Sequence, residues 1–309
     1  MEKRVDMKKE YGMAGVAILC WGCVATVSKL LMNQMDAMYV LAVSFLAATI
    51  FLGIYNARKG YFQKFRTMNA SVCVKMILIG SLGVFLYNFF LLLGTARLPA
   101  QEAFVINDLW PALIILFSCI FLHERLTFGK VAAITFSFIG IVVVTTNGDV
   151  SSLASADGKG IIYCLIAAVC YGLYSTLNKT QDYDKNCSVF LSYAVGTVVA
   201  FVCCLVMGTF RLPTGTETIG LVINGTVCNA LPYLLWALAL DHGNTAIIAN
   251  LAYLTPFISL ILTHVVLHEP VTVYSVLGLL LILLGIGIQI LTQTKVPGQR
   301  AAASGCKED

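Results

Sequence analysis

Asp108 is an acid in the middle of an apolar run. It sits in "NDLWPA" (107–112), with "AFVI" before it and "LIILFSCIFL" after it. A carboxylate at bilayer depth costs roughly 2.5–3.5 kcal/mol on insertion scales, so its presence points to a role in binding an ammonium group or carrying a proton. Glu102 lies six residues earlier, about 9 Å toward one end of the same segment at 1.5 Å per residue. It is the second candidate for proton coupling. Pro111 has no N–H and leaves the carbonyl of Asn107 without its helical donor. Pro256, in "YLTPF", does the same to Ala252, and Pro232 to Cys228. Freed carbonyls at membrane depth are tolerated where protein or a wet cavity satisfies them. Pro111 and Pro256 therefore predict helix breaks that shape a central cavity.

Amides and aromatic rings concentrate in the same segments. Tyr87, Asn88, Asn107, Asp108, Trp110, Tyr171, Tyr233, Trp236 and Tyr253 are the predicted substrate-binding residues. Such a set hydrogen-bonds the polar head of a small solute and stacks on a flat or apolar tail. Other chemistries find no support. His264, His268 and Glu269 share a helix, but their order is not that of a zinc protease and no third ligand is evident. Cys20-Trp-Gly-Cys23 has no second pair, and most of the 11 cysteines lie in apolar runs, where they pack as small apolar residues. No Ser-His-Asp set, phosphate loop or paired carboxylate at catalytic spacing stands out. The expectation is a protein with no enzyme activity, no metal and no cofactor.

These residues must be held by membrane helices. The 309-residue chain is 59% hydrophobic and 12% charged, against about 25% charged in soluble domains, and its mean hydropathy is +0.85. A soluble chain cannot hide that much apolar surface, so the solvent is a lipid bilayer. Apolar runs predict ten spans near 12–32, 37–56, 73–95, 100–122, 127–146, 160–179, 188–208, 217–240, 244–267 and 271–292. Their length fits helices rather than the short alternating strands of a barrel. The first run lacks a small-residue cleavage site and is expected to stay as the first helix. Of the 20 Lys and Arg residues, all but Lys29, Arg97, Lys159 and Arg211 fall on one side of this layout. The positive-inside rule then places both termini in the cytoplasm. The same bias accounts for the net charge of +4, and no nucleic-acid partner is needed.

The chain also repeats itself. "CWGCVATVSK" (20–29) aligns with "CYGLYSTLNK" (170–179) at an offset of 150. "LHE" recurs at 122–124 and 267–269, an offset of 145 that also pairs Pro111 with Pro256 and Gly140 with Gly285. Five spans per copy is an odd number, so the second copy enters the membrane the other way up. Inverted repeats suit alternating access, because the two halves can exchange roles.

Ten spans, two five-helix repeats and a proline separated by eleven residues from His-Glu in spans 4 and 9 resemble the drug/metabolite transporter superfamily, EamA type. The resemblance covers about residues 12–293. "NDLWPALIILFSCIFLHERLT" (107–127) is similar to the Asn-x-Leu-Trp-Pro span of its aromatic amino-acid exporter branch, as is "LPYLLWALALDHGNTAIIANLAYLTPFISLIL" (231–262). The resemblance implies a basket of ten helices as two inverted EamA repeats around a central cavity. It places the repeats at 12–146 and 160–292, an outer loop at 147–159, and cytoplasmic tails at 1–11 and 293–309. It implies multi-pass residence in a bacterial inner membrane and efflux of amino acids or related small metabolites. Asn107, Trp110, Pro111, Tyr253, Thr255 and Pro256 carry the motif positions. Asp108 departs from the branch pattern, where an aromatic can stand, and favours a cationic or amino-bearing solute or a proton site. An organic-phosphate, nucleotide-sugar or drug transporter of the same fold is the alternative. Phosphates need deep cations, and Lys29 and Lys179 sit only at span ends. An intramembrane enzyme would need a second deep ionisable group at catalytic spacing.

Overall fold

The computed structural model describes residues 7–121, 127–146, 148–149, 157–242 and 252–293. Every regular element among them is helical. The helices are α1 (Met7–Gly22), α2 (Val24–Met32), α3 (Ala37–Lys59), α4 (Phe62–Phe65), α5 (Ala70–Ser81), α6 (Tyr87–Arg97), α7 (Ala100–Asn107) and α8 (Trp110–Phe121). They continue as α9 (Phe128–Thr146), α10 (Gly158–Lys179), α11 (Lys185–Val206), α12 (Gly215–Ile223), α13 (Leu231–His242), α14 (Thr255–Leu267) and α15 (Val273–Gln293). Seven stretches are long and apolar enough to cross a membrane by length and composition: Lys9–Met32, Ala37–Lys59, Ala70–Arg97, Glu102–Phe121, Gly158–Lys179, Lys185–Val206 and Gly215–Ala239. Thr255–Leu267 and Val273–Gly285 are shorter apolar helices.

Several of these stretches are interrupted. A one-residue turn at Cys23 separates α1 from α2. Residues Asp108 and Leu109 separate α7 from α8. The predicted break at Pro111 is thus present, with the proline in the first turn of α8, where its missing N–H is harmless. Pro256 sits likewise in the first turn of α14, after a 3₁₀ turn at Ala252–Leu254. Two π-helical segments, Leu82–Leu86 and Asn224–Ala230, join α5 to α6 and α12 to α13. No sequence signal predicted these. Amide side chains satisfy carbonyls there: Asn88 Nδ2 donates to Val84 O at 2.8 Å and Asn229 Nδ2 to Asn224 O at 2.8 Å.

The helices α3 and α11 pack against each other at the centre of the largest buried cluster. They run antiparallel. Tyr39, near the start of α3, has the Arg211 guanidinium 5.0 Å over its ring, just past the end of α11. Gly53, toward the end of α3, meets Phe190 near the start of α11. Between these ends Phe45 and Tyr193 stand edge to face with centroids 5.1 Å apart, and the hydroxyls of Thr49 and Thr197 share a 2.8 Å hydrogen bond. Both helices open on an aspartate cap: Asp36 accepts from the N–H groups of Met38 and Tyr39, and Asp184 from those of Asn186 and Cys187. Such a cap contributes about 1 kcal/mol. Asp36, Ser44, Phe45 and Thr49 each find their counterpart 148 residues later, in Asp184, Ser192, Tyr193 and Thr197. The other main pairings are α1 with α13, α6 with α10, and α9 with α15.

Two glycines allow the interrupted helices to approach this central pair. A Cβ on Gly80 would collide with the Ser192 side chain, and one on Gly225 with the backbone carbonyl of Ser44. A side chain can rotate away or be removed, whereas a helical carbonyl cannot. Gly80→Ala and Gly225→Ala should each cost about 1–3 kcal/mol, the range for overpacking. Adding Ser192→Gly should recover part of the loss for Gly80→Ala, while Ser44→Gly should recover none for Gly225→Ala. Thermal unfolding of the purified variants in detergent checks both.

Candidate functional site

The helix interruptions converge on one cavity. Trp21 and Val24 reach it from the α1–α2 junction, Tyr87 from the start of α6, and Phe104, Asn107, Asp108 and Trp110 from the α7–α8 break. Tyr171 of α10, Tyr233 of α13, Ala252, Thr255 and Pro256 around the start of α14, and Ile282 and Leu283 of α15 complete the wall. The cavity offers about 60 Å³ to the centres of water molecules, room for a handful of waters at roughly 10–15 Å³ each. Irregular backbone at membrane depth is stable only where it is buried in protein or lines such a space. The interruptions at Cys23, at 108–109 and ahead of α14 border this space.

Six of the wall residues are aromatic: Trp21, Tyr87, Phe104, Trp110, Tyr171 and Tyr233. Tyr171 is the hub: its ring centroid lies 4.8 Å from Tyr87, 5.1 Å from Trp110 and 6.1 Å from Tyr233. Trp21 stands edge-on to Tyr233 at 6.1 Å. The Tyr233 hydroxyl donates to Gly83 O at 2.8 Å, a carbonyl within the first π segment. Asn107 Nδ2 donates to Tyr87 Oη at 3.3 Å. Asn107 is only 3% exposed, yet its Oδ1 has no hydrogen-bond partner, and neither has Thr255 Oγ1. Asp108 is half-buried, and among the described residues no cation is paired with it. It also borders a smaller recess that includes Ser259 and Ser275.

Six of the predicted binding residues thus meet at one place: Tyr87, Asn107, Asp108, Trp110, Tyr171 and Tyr233. Pro256 joins them. Asn88 does not, because its amide is engaged by the Val84 carbonyl. Trp236 stands one layer back, 5.1 Å from Trp21 and packed on Ala14, Ala17 and Ile18. Glu102 lies in the first turn of α7, away from the cavity and close to Glu269, whose Oε1 accepts from Ala100 N at 3.0 Å. Glu269 thereby caps α7, in keeping with a helix-capping role for the Leu-His-Glu repeat. His123 and Glu124 lie outside the described residues, as do the side chains of Tyr253 and Pro111. Sequence reasoning missed Trp21, Val24, Phe104, Ala252, Ile282 and Leu283. Trp21 had a usable signal, since it aligns with Tyr171 in the repeated decapeptides. The aliphatic residues had none.

Compared with known proteins, the sequence matches the profile of the EamA-like transporter family twice, at residues 8–146 and 158–291. The chain belongs to this family. The double match also establishes that the two halves are copies of one unit. An uncharacterized transporter of Archaeoglobus fulgidus is 26% identical over 295 residues, covering 91% of this chain and 99% of that protein. The aromatic amino acid exporter YddG of Ancylobacter novellus is 25% identical over 182 residues, covering 58% of this chain and 63% of its own length. A solved structure, described only as a protein crystal structure, aligns with a TM-score of 0.67 at 19% identity over 95% of this chain and 100% of its own, which shows a shared fold. The EamA chain is therefore a multi-pass membrane transporter of a small molecule, not an enzyme.

The tryptophans offer a direct probe of the cavity. The chain has three, of which Trp21 and Trp110 line the wall and Trp236 does not. Titration with a non-fluorescent aromatic solute should change the intrinsic emission. Trp236→Phe should keep most of that change, and Trp21→Phe combined with Trp110→Phe should remove it.

Proposed function

We propose that this EamA-family protein exports small aromatic metabolites, amino acids or related compounds, by alternating access. In this reading ten spans form two inverted five-helix repeats, at 12–146 and 160–292. Both termini face the cytoplasm of a bacterial cell, and the protein resides in its inner membrane. The solute binds between the repeats, at the cavity bounded by Tyr87, Asn107, Asp108, Trp110, Tyr171 and Tyr233.

The observation that carries the reading is the convergence of repeat-related helix interruptions on one aromatic cavity. Pro111 and Pro256 open equivalent half-helices, and Trp21 and Tyr171 are equivalent in sequence. Inversion is supported by α3 and α11. They align over Asp36 to Thr49 and Asp184 to Thr197, yet pack antiparallel. A rotation that exchanges the halves must turn such a pair end for end. The remaining pairings agree, since exchanging halves converts α1 with α13 into α10 with α6. Rocking of one repeat against the other is the usual use of this symmetry. Aromatic solutes are supported by the ring-lined wall and by two distant relatives named as aromatic amino acid exporters, the second from Salmonella typhimurium at 23% identity. An organic phosphate fits less well. No Lys or Arg is among the described residues of the wall, and a phosphate needs such donors.

Asp108 carries the coupling in this reading, by exchanging a proton as the cavity faces each side. Asp108→Asn should lower export at least tenfold and flatten its pH dependence in cells or proteoliposomes. An unchanged rate and pH profile would exclude the role. For the direction of flux, cells with and without the protein are challenged with toxic aromatic analogues. Resistance is expected, and heightened sensitivity would instead mean uptake.

A further inference from the structure

The wall of the cavity has a charge bias that narrows the solute further. Asp108 is the one charged side chain among its described residues. Lys29 of α2 lies five residues beyond Val24, about 8 Å along a helix. Its ammonium is held elsewhere, donating to Thr95 O at 2.9 Å and Leu98 O at 2.8 Å.

The neutral groups are mixed. Asn107 offers a buried oxygen with no partner among the described residues. Pro111 has no N–H to give the carbonyl of Asn107. Asn107 gives one amide N–H to Tyr87 and Tyr233 gives its proton to Gly83 O, while the hydroxyls of Tyr87 and Tyr171 and the indole N–H groups of Trp21 and Trp110 are further neutral donors carried by wall residues. Thr255 Oγ1 is neutral in this respect, since a hydroxyl both donates and accepts. An ammonium group brings three donors and no acceptor, whereas a carboxylate brings acceptors alone. The ring faces of Trp21, Trp110 and Tyr171 add cation–π attraction. Among charges and dipoles, one feature favours an anion: the N-terminus of α14 at the wall. It offers roughly half an elementary charge, with one N–H removed by Pro256, against the full charge of Asp108.

We propose that the cavity selects aromatic amines, which carry an ammonium group and no carboxylate, over aromatic amino acids. The proposal rests on the transporter reading above and names the charge of its solute. An amino acid that set its ammonium on Asp108 would bring its carboxylate into the same cavity with no Lys or Arg among the described wall residues to pair it, and an unpaired buried charge is strongly unfavourable.

Tryptamine, tryptophan and indole-3-propionate share one ring system and differ in charge. Calorimetric titration of the full-length protein in detergent should find tryptamine bound at least tenfold more tightly than tryptophan, with no measurable binding of indole-3-propionate. Asp108→Asn should shrink the preference for tryptamine below threefold, and Asp108→Glu should keep it. The wild-type ranking alone tests the proposal if a variant fails to fold. Tryptophan bound as tightly as tryptamine, a preference that survives Asp108→Asn, or no amine binding at all would each overturn it. Resistance of cells to toxic aromatic amino-acid analogues alongside any of those outcomes would leave the exporter reading intact and remove only this one.

Discussion

Inside a bilayer no water is at hand for a backbone group that loses its helical partner. Each N–H or C=O must be satisfied by the chain itself or by a solute-filled space. Every interruption in this molecule answers to that constraint. The π segments hand carbonyls to Asn88, Asn229 and Tyr233. The breaks ahead of Pro111 and Pro256 border the cavity, where motif residues, aromatic rings and the deep acid coincide.

The packing around the cavity treats the two halves alike, and the chemistry inside it does not. Gly80 meets Ser192 and Gly225 meets Ser44, a reciprocal arrangement between positions that correspond in the two copies. In sequence, Asp108 corresponds to Tyr253 at the 145-residue offset, and within the wall Trp110 corresponds to Thr255. Symmetric scaffolding serves a motion in which the halves trade places. A solute has no such symmetry, so its contacts differ from one half to the other.

Much of this was legible in the sequence, because the signals were physical and local. Run length and hydropathy gave membrane helices. Pro111 and Pro256 gave the position of both breaks within a few residues. Six of the nine predicted binding residues share one cavity, since a polar or aromatic side chain at bilayer depth has few other places to go. Asn88 and Trp236 escaped that logic for identifiable reasons. A nearby carbonyl was exposed by a π turn that has no sequence signature, and Trp21 stands between Trp236 and the cavity. Aliphatic wall residues such as Ile282 and Leu283 look like any other apolar residue of a span. The central α3–α11 pair was also hidden: its 148-residue offset lies between the two offsets that the more obvious motifs display, and its matches are scattered single residues.

The hydrogen bond between Thr49 and Thr197 has a consequence for the balance of conformations. Thr197 gives its one proton to Tyr193 O at 2.8 Å, so Thr49 donates in the shared bond. The reversed arrangement, with Thr197 donating to Thr49 and Thr49 to the carbonyl four residues before it, uses the same chemical groups in the same relation, so exchanging the halves leaves this contact unchanged in energy. A fulcrum built from two identical groups favours neither side of the membrane. The tilt of the equilibrium between the two faces is then left to residues that differ between the copies, and the charged one among the described wall residues is Asp108.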